Sequence, residues 1–148
     1  MWFLPRKQPP RVVLGSAMLE MRLKMALGDA WDIGQTRCVP TDRSYLSTTK
    51  DEIRQIARKA WKPWVETKLG GGACEIQCFR ILVEAFDYSQ KLQLPGRLAI
   101  YAALTRGDRA HAYIVGELSA TQTVVYDQTA DEFCDADEMD KPIRIVYS

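Results

Sequence analysis

The spacing of apolar residues predicts helices in the first part of the chain and strands in the last part. In residues 16–27 apolar side chains recur at helical spacing, Ser16 can cap the segment and Gly28 ends it. This helix carries a stripe of methionines, which we expect in the core because methionine often fills gaps there. The flanking residues 1–10 and 28–48 are rich in Pro, or in Gly, Asp, Thr and Ser, and predict an extended lead-in and a loop.

Two further helices are predicted between residues 49 and 92. The first begins at Thr49, where Thr49-Lys-Asp-Glu52 forms a capping box, and it ends or kinks at Pro63. The second covers residues 73–92 and follows three consecutive glycines at 70–72. Its apolar stripe is wide, as expected for a helix packed into the core. The members of this stripe are Ile76, Phe79, Leu82, Val83 and Phe86.

After residue 97 the apolar pattern changes from helical to short β-prone runs. Turn signals at residues 106–108 and 118–120 separate the first three runs, and a fourth alternating run lies near the carboxyl end. The four predicted strands are residues 98–105, 109–117, 121–128 and 143–147. Helices followed by a meander of antiparallel strands indicate an α+β fold, with the helix at 73–92 lying against the sheet.

The composition is that of an ordinary globular protein, with 47% hydrophobic and 26% charged residues in a chain of 148. A chain of this length most economically forms one domain. Its core would be residues 49–130, with 1–48 as an amino-terminal extension and helix, and 131–148 as an acidic loop and last strand.

Charge and hydropathy narrow the expected partners and compartment. The net charge of +1 argues against a general polyanion binder, so nucleic acid is not an expected partner. We find no secretory signal and no apolar run of membrane-spanning length, which predicts a cytoplasmic protein without a membrane partner. In a reducing compartment the four cysteines are expected to be thiols rather than disulfides.

Cys74 is the strongest candidate for a nucleophile. It falls in the first turn of the predicted helix 73–92, where unpaired N–H groups and the positive end of the helix dipole stabilise a thiolate. The glycines at 70–72 would let a substrate approach the backbone closely. The N–H of Ala73 and its neighbours could stabilise an oxyanion. Cys78, one turn further along, is expected to be a small buried residue.

The single histidine of the chain, His111, lies in a predicted strand. If residues 118–120 form a three-residue hairpin loop, the numbers of paired residues sum to 238 and Asp127 lies directly opposite His111. A carboxylate in that place would orient the imidazole and stabilise its charged form. A two-residue loop would change the sum to 239 and place Gln128 opposite His111 instead, and an amide can also orient a histidine.

The order and spacing of these residues resemble those of transglutaminase-like cysteine proteinases of bacteria and their phages. The matching pieces read Gly70-Gly-Gly-Ala-Cys74, His111-Ala-Tyr-Ile-Val115 and Val124-Val-Tyr-Asp127-Gln-Thr129. The resemblance covers residues 50–130. Relatives often carry Asp immediately before the nucleophile, where this chain has Ala73.

The resemblance implies a papain/transglutaminase-like fold, in which a core helix bearing the cysteine at its amino-terminus packs on an antiparallel sheet. It also implies a catalytic triad of Cys74, His111 and Asp127 that acts on a peptide, isopeptide or amide bond of a protein or peptide substrate. No cofactor or metal is implied. Residues that would shape the substrate pocket, or else pack in the core, are Trp61, Trp64 and Tyr113.

Two other functions stay open on the sequence. The residue before Cys74 fits a non-catalytic domain on the same fold, such as a phage-encoded protein that binds a host protein. The chain also holds enough soft ligands for a structural zinc site, although it has no Cys-x-x-Cys pair. The ligands of such a site would be Cys74, Cys78, His111 and either Cys38 or Cys134.

Overall fold

The computed structural model describes residues 8–27, 44–65, 73–105, 111–134, 142 and 144–147. Expectations for residues 1–7, 28–43, 70–72 and 106–108, and for Cys38, lie outside this part of the chain. Its elements, in order, are β1 (Val13–Gly15), α1 (Ser16–Leu27), β2 (Ser44–Leu46), α2 (Lys50–Ala60), α3 (Ala73–Lys91), β3 (Arg97–Leu98), β4 (Ile100–Leu104), β5 (Ala112–Glu117), β6 (Thr123–Asp127), β7 (Glu132–Cys134) and β8 (Arg144–Tyr147). The predicted α+β class is confirmed.

The main sheet has five antiparallel strands in the order β7-β6-β5-β4-β8. The four predicted strands correspond to β4, β5, β6 and β8. The expected acidic loop is wrong at its start, because Glu132–Cys134 forms β7 and pairs with β6. Phe133 lies opposite Tyr126 in that pair, with ring centroids 5.0 Å apart, so an aromatic contact holds an otherwise polar segment on the sheet.

A second sheet, in the order β1-β2-β3, ties the amino-terminal residues to the core. Strand β2 pairs antiparallel with β1 and parallel with β3. The loop predicted for residues 28–48 is therefore wrong at Ser44–Leu46. A three-residue strand is too short to show alternation, and its place depends on the burial of Tyr45 and Leu46 against distant parts of the chain.

The five-stranded sheet has an apolar cluster on each face, because side chains alternate along its strands. One series, which includes Ala102 and Ile114, packs with α2 and α3 in the main core cluster. The other series, which includes Tyr113 and Val125, packs with Leu27 at the end of α1 in a second cluster. Helix α3 therefore covers one face of an antiparallel sheet, as predicted.

Helix α3 buries a different face from the predicted apolar stripe. Val83 is 69% exposed, Ile76 and Phe86 are also exposed, and of the predicted stripe only Leu82 is buried. The buried positions of this helix are Ala73, Gln77, Cys78, Ile81, Leu82, Ala85 and Ser89.

The physical reason for the change of face is the polar residue Gln77. Its Nε2 donates to the carbonyl of Lys62 at 2.9 Å, and its Oε1 accepts from the N–H of the same residue at 3.3 Å. Because this amide is satisfied by backbone that follows α2, a glutamine takes a core position and turns Ile76 and Val83 to the surface.

The methionine stripe of α1 is in the core only at Met18, which packs partly buried against the cluster of Leu14 and Leu19. Met21 is 63% exposed and Met25 is 73% exposed, whereas Leu19 and Leu27 are buried. Arg22 lies on the buried side and pairs with the carboxylate of Glu117, which is itself fully buried in β5. A buried carboxylate needs a partner, so this ion pair helps to set which side of α1 meets the sheet.

Helix α2 begins as predicted, with Thr49 as its N-cap. The Thr49 hydroxyl accepts from the N–H of Glu52 at 3.1 Å, and the Glu52 carboxylate accepts in return from the N–H of Thr49. The carboxylate is buried and also accepts from Arg11 at 2.6 and 2.8 Å and from the Tyr88 hydroxyl at 2.7 Å. Burial alone would raise the pKa of Glu52, but the hydrogen bonds from Arg11 and Tyr88 outweigh it and hold that pKa below its ordinary value.

Candidate active site at the ends of the central strands

Cys74 is the second residue of α3, in the first turn of the helix as predicted. Its side chain is partly exposed and packs against the main core cluster. Ala73, the first residue of the helix, is buried. The N–H groups of this turn have no acceptor within the helix, and the positive end of the helix dipole lies here, so a negative charge formed beside Cys74 would be stabilised.

Cys78 lies one turn further along α3 and is fully buried. Burial strongly raises the pKa of its thiol, and the nearby Cys74, Asp127 and Glu75 raise it further through electrostatic repulsion. Cys78 is therefore a packing residue that stays protonated, as expected from the sequence.

His111 and Asp127 form a hydrogen-bonded pair. Nε2 of His111 lies 3.3 Å from Oδ1 of Asp127, and both side chains are about one quarter exposed. The same oxygen accepts from the N–H of Thr129 at 3.0 Å, which fixes the carboxylate. The backbone of His111 is held by Thr105, whose N–H donates to the His111 carbonyl at 2.9 Å. Among the described residues, Nδ1 of His111 has no hydrogen-bond partner.

The hairpin that brings this pair together has a different register from the predicted one. Paired residues of β5 and β6 sum to 240, as in Glu117↔Thr123, so the expected sum of 238 is wrong. The loop still has three residues, but it lies at 119–121, closed by a bond of 2.8 Å from the N–H of Leu118 to the carbonyl of Gln122.

The shift of the sum by two has a simple consequence for the site. His111 and Asp127 now meet diagonally instead of directly opposite each other. Because side chains alternate with a period of two, a shift of two leaves each residue on its predicted face of the sheet. A sum of 239 would have brought Gln128 to the face of His111.

Gln128 has a different role from the one considered in the sequence. It is only 4% exposed, and its Nε2 donates to the carbonyl of Ala112 at 2.7 Å and to the carbonyl of Cys74 at 3.3 Å. The amide thus joins the end of β6 to the start of β5 and to the first turn of α3. No hydrogen bond of Gln128 to the ring of His111 is present among the described residues.

The structure brings the three predicted catalytic residues to the same end of the sheet in two groups. Strand alternation assigns His111 and Asp127 to the series of Tyr113 and Val125, whereas Cys74 packs with the other series. No hydrogen bond joins the Cys74 thiol to His111 in the described part of the chain. Gln128 follows Asp127 in the sequence and contacts Cys74, so it connects the two groups.

A cavity with a volume of about 340 Å³ lies beside Gln128. Its walls include Ala57 and Trp61 from the α2 side and Tyr126 and Thr129 from the end of β6. Neither the cavity nor the placing of Gln128 was expected from the sequence, since α2 and β6 are far apart in the chain and meet only in the folded protein. Trp61 is the wall residue that the sequence indicated as a candidate to shape a pocket.

Asp131 lies at the edge of this cavity and is held by two neighbours. Arg58 donates to its Oδ2 from Nε at 3.1 Å and from Nη2 at 2.7 Å, and the Tyr126 hydroxyl donates to its Oδ1. The hydrogen bond from Arg58 holds the pKa of Asp131 below its ordinary value, while burial raises that of Tyr126. The carboxylate therefore stays charged and the hydroxyl stays protonated near neutral pH.

The described residues contain no group of three or more His, Cys, Asp and Glu side chains placed to hold a metal ion. The remaining zinc-ligand candidate, Cys38, lies outside them. Within the same part of the chain, no helix is long and apolar enough to cross a membrane.

No protein-family model, curated protein or solved structure matches this chain. The function is therefore inferred from the geometry of the site.

Proposed function

We propose that this protein is a cysteine-nucleophile hydrolase or acyltransferase of papain/transglutaminase-like fold, with Cys74, His111 and Asp127 as its catalytic residues. The observation that carries the proposal is the His111–Asp127 hydrogen bond of 3.3 Å at the end of the sheet where α3 begins with Cys74. A fixed imidazole–carboxylate pair, and a cysteine in the first turn of a helix that begins at the same end of the sheet, are the groups that acyl transfer uses.

Asp127 determines which nitrogen of His111 can act as a base. Because the carboxylate accepts from Nε2, the proton of the neutral ring lies on Nε2 and the lone pair lies on Nδ1. For catalysis Nδ1 would take the proton of the Cys74 thiol, which requires the ring and the thiol to approach each other at the end of the sheet, and the carboxylate stabilises the imidazolium that forms.

The reaction would proceed through a thioester. The sulfur of Cys74 attacks the carbonyl carbon of an amide, and its proton passes to His111. N–H groups at the start of α3 stabilise the oxyanion of the tetrahedral intermediate. The C–N bond breaks, and His111 protonates the leaving amine. Water or a second amine then attacks the thioester, gives up a proton through His111, and releases Cys74 as the thiol.

The decisive experiment compares the rate at which iodoacetamide alkylates Cys74 with the rate at Cys134 at neutral pH, with each modified residue identified by mass spectrometry. Cys74 of the wild type should react faster than Cys134, and this difference should be lost in His111→Ala. Cys134 is partly exposed and lies on a strand, so it serves as an internal comparison. A Cys74 rate equal to that of a model thiol, or a rate that is unchanged in His111→Ala, would refute the proposal.

Activity of variants provides the second test once a substrate is found. We expect Cys74→Ala to abolish turnover and to leave the fold unchanged, because the side chain is small and partly exposed. Turnover retained in that variant would move the nucleophile elsewhere. Asp127→Asn should lower kcat by tenfold or more, at about 1.4 kcal/mol per factor of ten, because the amide favours the wrong tautomer of His111.

A binding domain without catalytic activity is the second candidate, and it is favoured by the exposed side chains of α3. Ile76, Phe79 and Val83 line a groove of about 490 Å³. Its rim carries Lys62, Arg80 and the ion pair of Lys59 with Glu84, so the rim has a net positive charge. Such a surface fits an acidic peptide with apolar anchors. Peptides of that kind, selected by display on the purified protein, should bind Cys74→Ala normally and Val83→Asp weakly. Equal binding to both variants would remove this candidate.

A further inference from the structure

The orientation of the Gln128 side chain is determined by its neighbours. Nε2 faces two backbone carbonyls, that of Ala112 at 2.7 Å and that of Cys74 at 3.3 Å. The opposite orientation would place Oε1 against two other oxygens, so the hydrogen bonds settle which atom is which.

This orientation leaves Oε1 of Gln128 without a donor among the described residues. The side chain is 96% buried, being 4% exposed. Buried polar atoms are nearly always paired, and one that is not points to a strained site or to a ligand that supplies the missing partner. Here the unpaired atom belongs to a residue that lines a cavity and contacts Cys74.

The cavity is large enough for one side chain of a substrate. Its volume of about 340 Å³ lies at the lower end of the range of ligand pockets. Trp61 and Ala57 provide apolar wall, on which an aromatic or aliphatic group can pack. A group that enters beside Gln128 lies next to a side chain that is hydrogen-bonded to the backbone of Cys74.

The charges at the edge of the cavity argue against a cationic occupant. Asp131 is already neutralised by the two hydrogen bonds from Arg58. Arg54 lies a further 4.0 Å from the other oxygen of that carboxylate, so the edge has an excess of positive charge. An anionic occupant would meet the acceptor Oε1 of Gln128, which offers it no hydrogen bond. The remaining class is a neutral group that donates a hydrogen bond.

We propose that the cavity lined by Trp61 and Gln128 is a specificity pocket for a neutral substrate side chain that ends in a hydrogen-bond donor. The donor bonds to Oε1 of Gln128, and the rest of the side chain packs on Trp61. This inference rests on the proposed function, because it assigns the occupant to the substrate of Cys74.

The test uses four soluble probes that share the same backbone, the N-acetyl N-methylamides of tyrosine, phenylalanine, lysine and glutamate. Each is titrated into ¹⁵N-labelled Cys74→Ala protein, so that no covalent step contributes. Shifts of the Trp61 indole signal, assigned with Trp61→Phe, report occupancy. The tyrosine probe should bind about fivefold more tightly than the phenylalanine probe, for one hydrogen bond. The lysine and glutamate probes should bind more weakly than the tyrosine probe.

Matched variants locate the binding. Trp61→Ala should weaken binding of the tyrosine probe, measured from the shifts of backbone amide signals. Trp64→Ala should leave that binding unchanged, because Trp64 contacts Arg80 away from the cavity. Gln128→Met, provided that its spectrum remains folded, should remove the difference between tyrosine and phenylalanine.

Equal binding of the tyrosine and phenylalanine probes, a preference for either charged probe, or normal binding by Trp61→Ala would overturn the inference. The outcomes also separate the two proposals. A reactive Cys74 with no probe bound refutes only the pocket. A bound tyrosine probe with an unreactive Cys74 refutes the catalytic site and the assignment of the occupant to a substrate, and it leaves only a binding pocket.

Discussion

Replacement of Arg11 by methionine tests the buried ion pair that joins the amino-terminal residues to α2. The side chains of Arg11 and Glu52 are only 9% and 7% exposed, so solvent screens their attraction little. Arg11→Met removes two hydrogen bonds to the Glu52 carboxylate, at 2.6 and 2.8 Å, and one of 3.0 Å to the carbonyl of Ser47. It leaves a charged carboxylate buried beside an apolar side chain.

The cost of such a change is about 3–5 kcal/mol when one partner of a buried pair is lost. We expect a value near the lower limit, about 3 kcal/mol, because Tyr88 and the N–H of Thr49 still donate to Glu52. With a urea dependence of about 2 kcal/mol per M, the unfolding midpoint should fall by about 1.5 M.

A double-mutant cycle separates the loss of contacts from the burial of an unpaired charge. In Arg11→Met/Glu52→Gln no charge is buried, and glutamine keeps the capping box with Thr49. The double variant should therefore be more stable than Arg11→Met by about 1 kcal/mol or more. Urea unfolding followed by circular dichroism measures each variant. A loss below about 0.5 kcal/mol in Arg11→Met, or a double variant no more stable than it, would refute the reasoning.

Three further predictions concern stability. Gly116→Ala should lower the free energy of unfolding by about 1–3 kcal/mol, because the added Cβ overlaps Cδ1 of Ile53. Ile53→Val removes that methyl group and should relieve the overlap in the double variant. Additive losses of the two substitutions in thermal unfolding would contradict this. Val83→Ala should change the free energy of unfolding, measured in urea, by about 0.5 kcal/mol or less, because Val83 is exposed. Leu82→Ala should lower it by about 2–5 kcal/mol, because Leu82 is buried. Similar losses in the two variants would contradict the observed buried face of α3. The pKa of Glu52 is lower in the folded state than in the unfolded state. Its contribution to the free energy of unfolding should therefore be full above the unfolded pKa of about 4.3, and it should be lost as the pH falls through the folded pKa. Glu52→Gln should flatten that acidic limb, and an unchanged limb would contradict the assignment.

Sequence patterns located those features of the fold and of the site that depend on residues close together in the chain. The capping box at Thr49 and Glu52 forms as predicted, because it needs only four residues in sequence. Cys74 lies in the first turn of α3 because a helical pattern begins there. His111 and Asp127 lie on one face of adjacent strands for a similar reason, since alternation with a period of two survives a register error of two.

The remaining features depend on contacts between distant residues. Helix α3 is apolar around much of its circumference, so its sequence alone could not select the buried face. That choice depends on Gln77, which finds its partners in the backbone that follows α2. In α1 the exposed methionines reflect a similar competition, in which Arg22 and the buried Glu117 favour another face.

The sequence by itself therefore determined the α+β class, the start of each long helix, and the candidate residues Cys74, His111 and Asp127, because each depends on local pattern. Only the tertiary structure decided the hairpin register, the role of Gln128 and the cavity beside Trp61. Those depend on which backbone groups and side chains meet when α2, α3 and the sheet pack together, and residues far apart in the chain specify such contacts jointly.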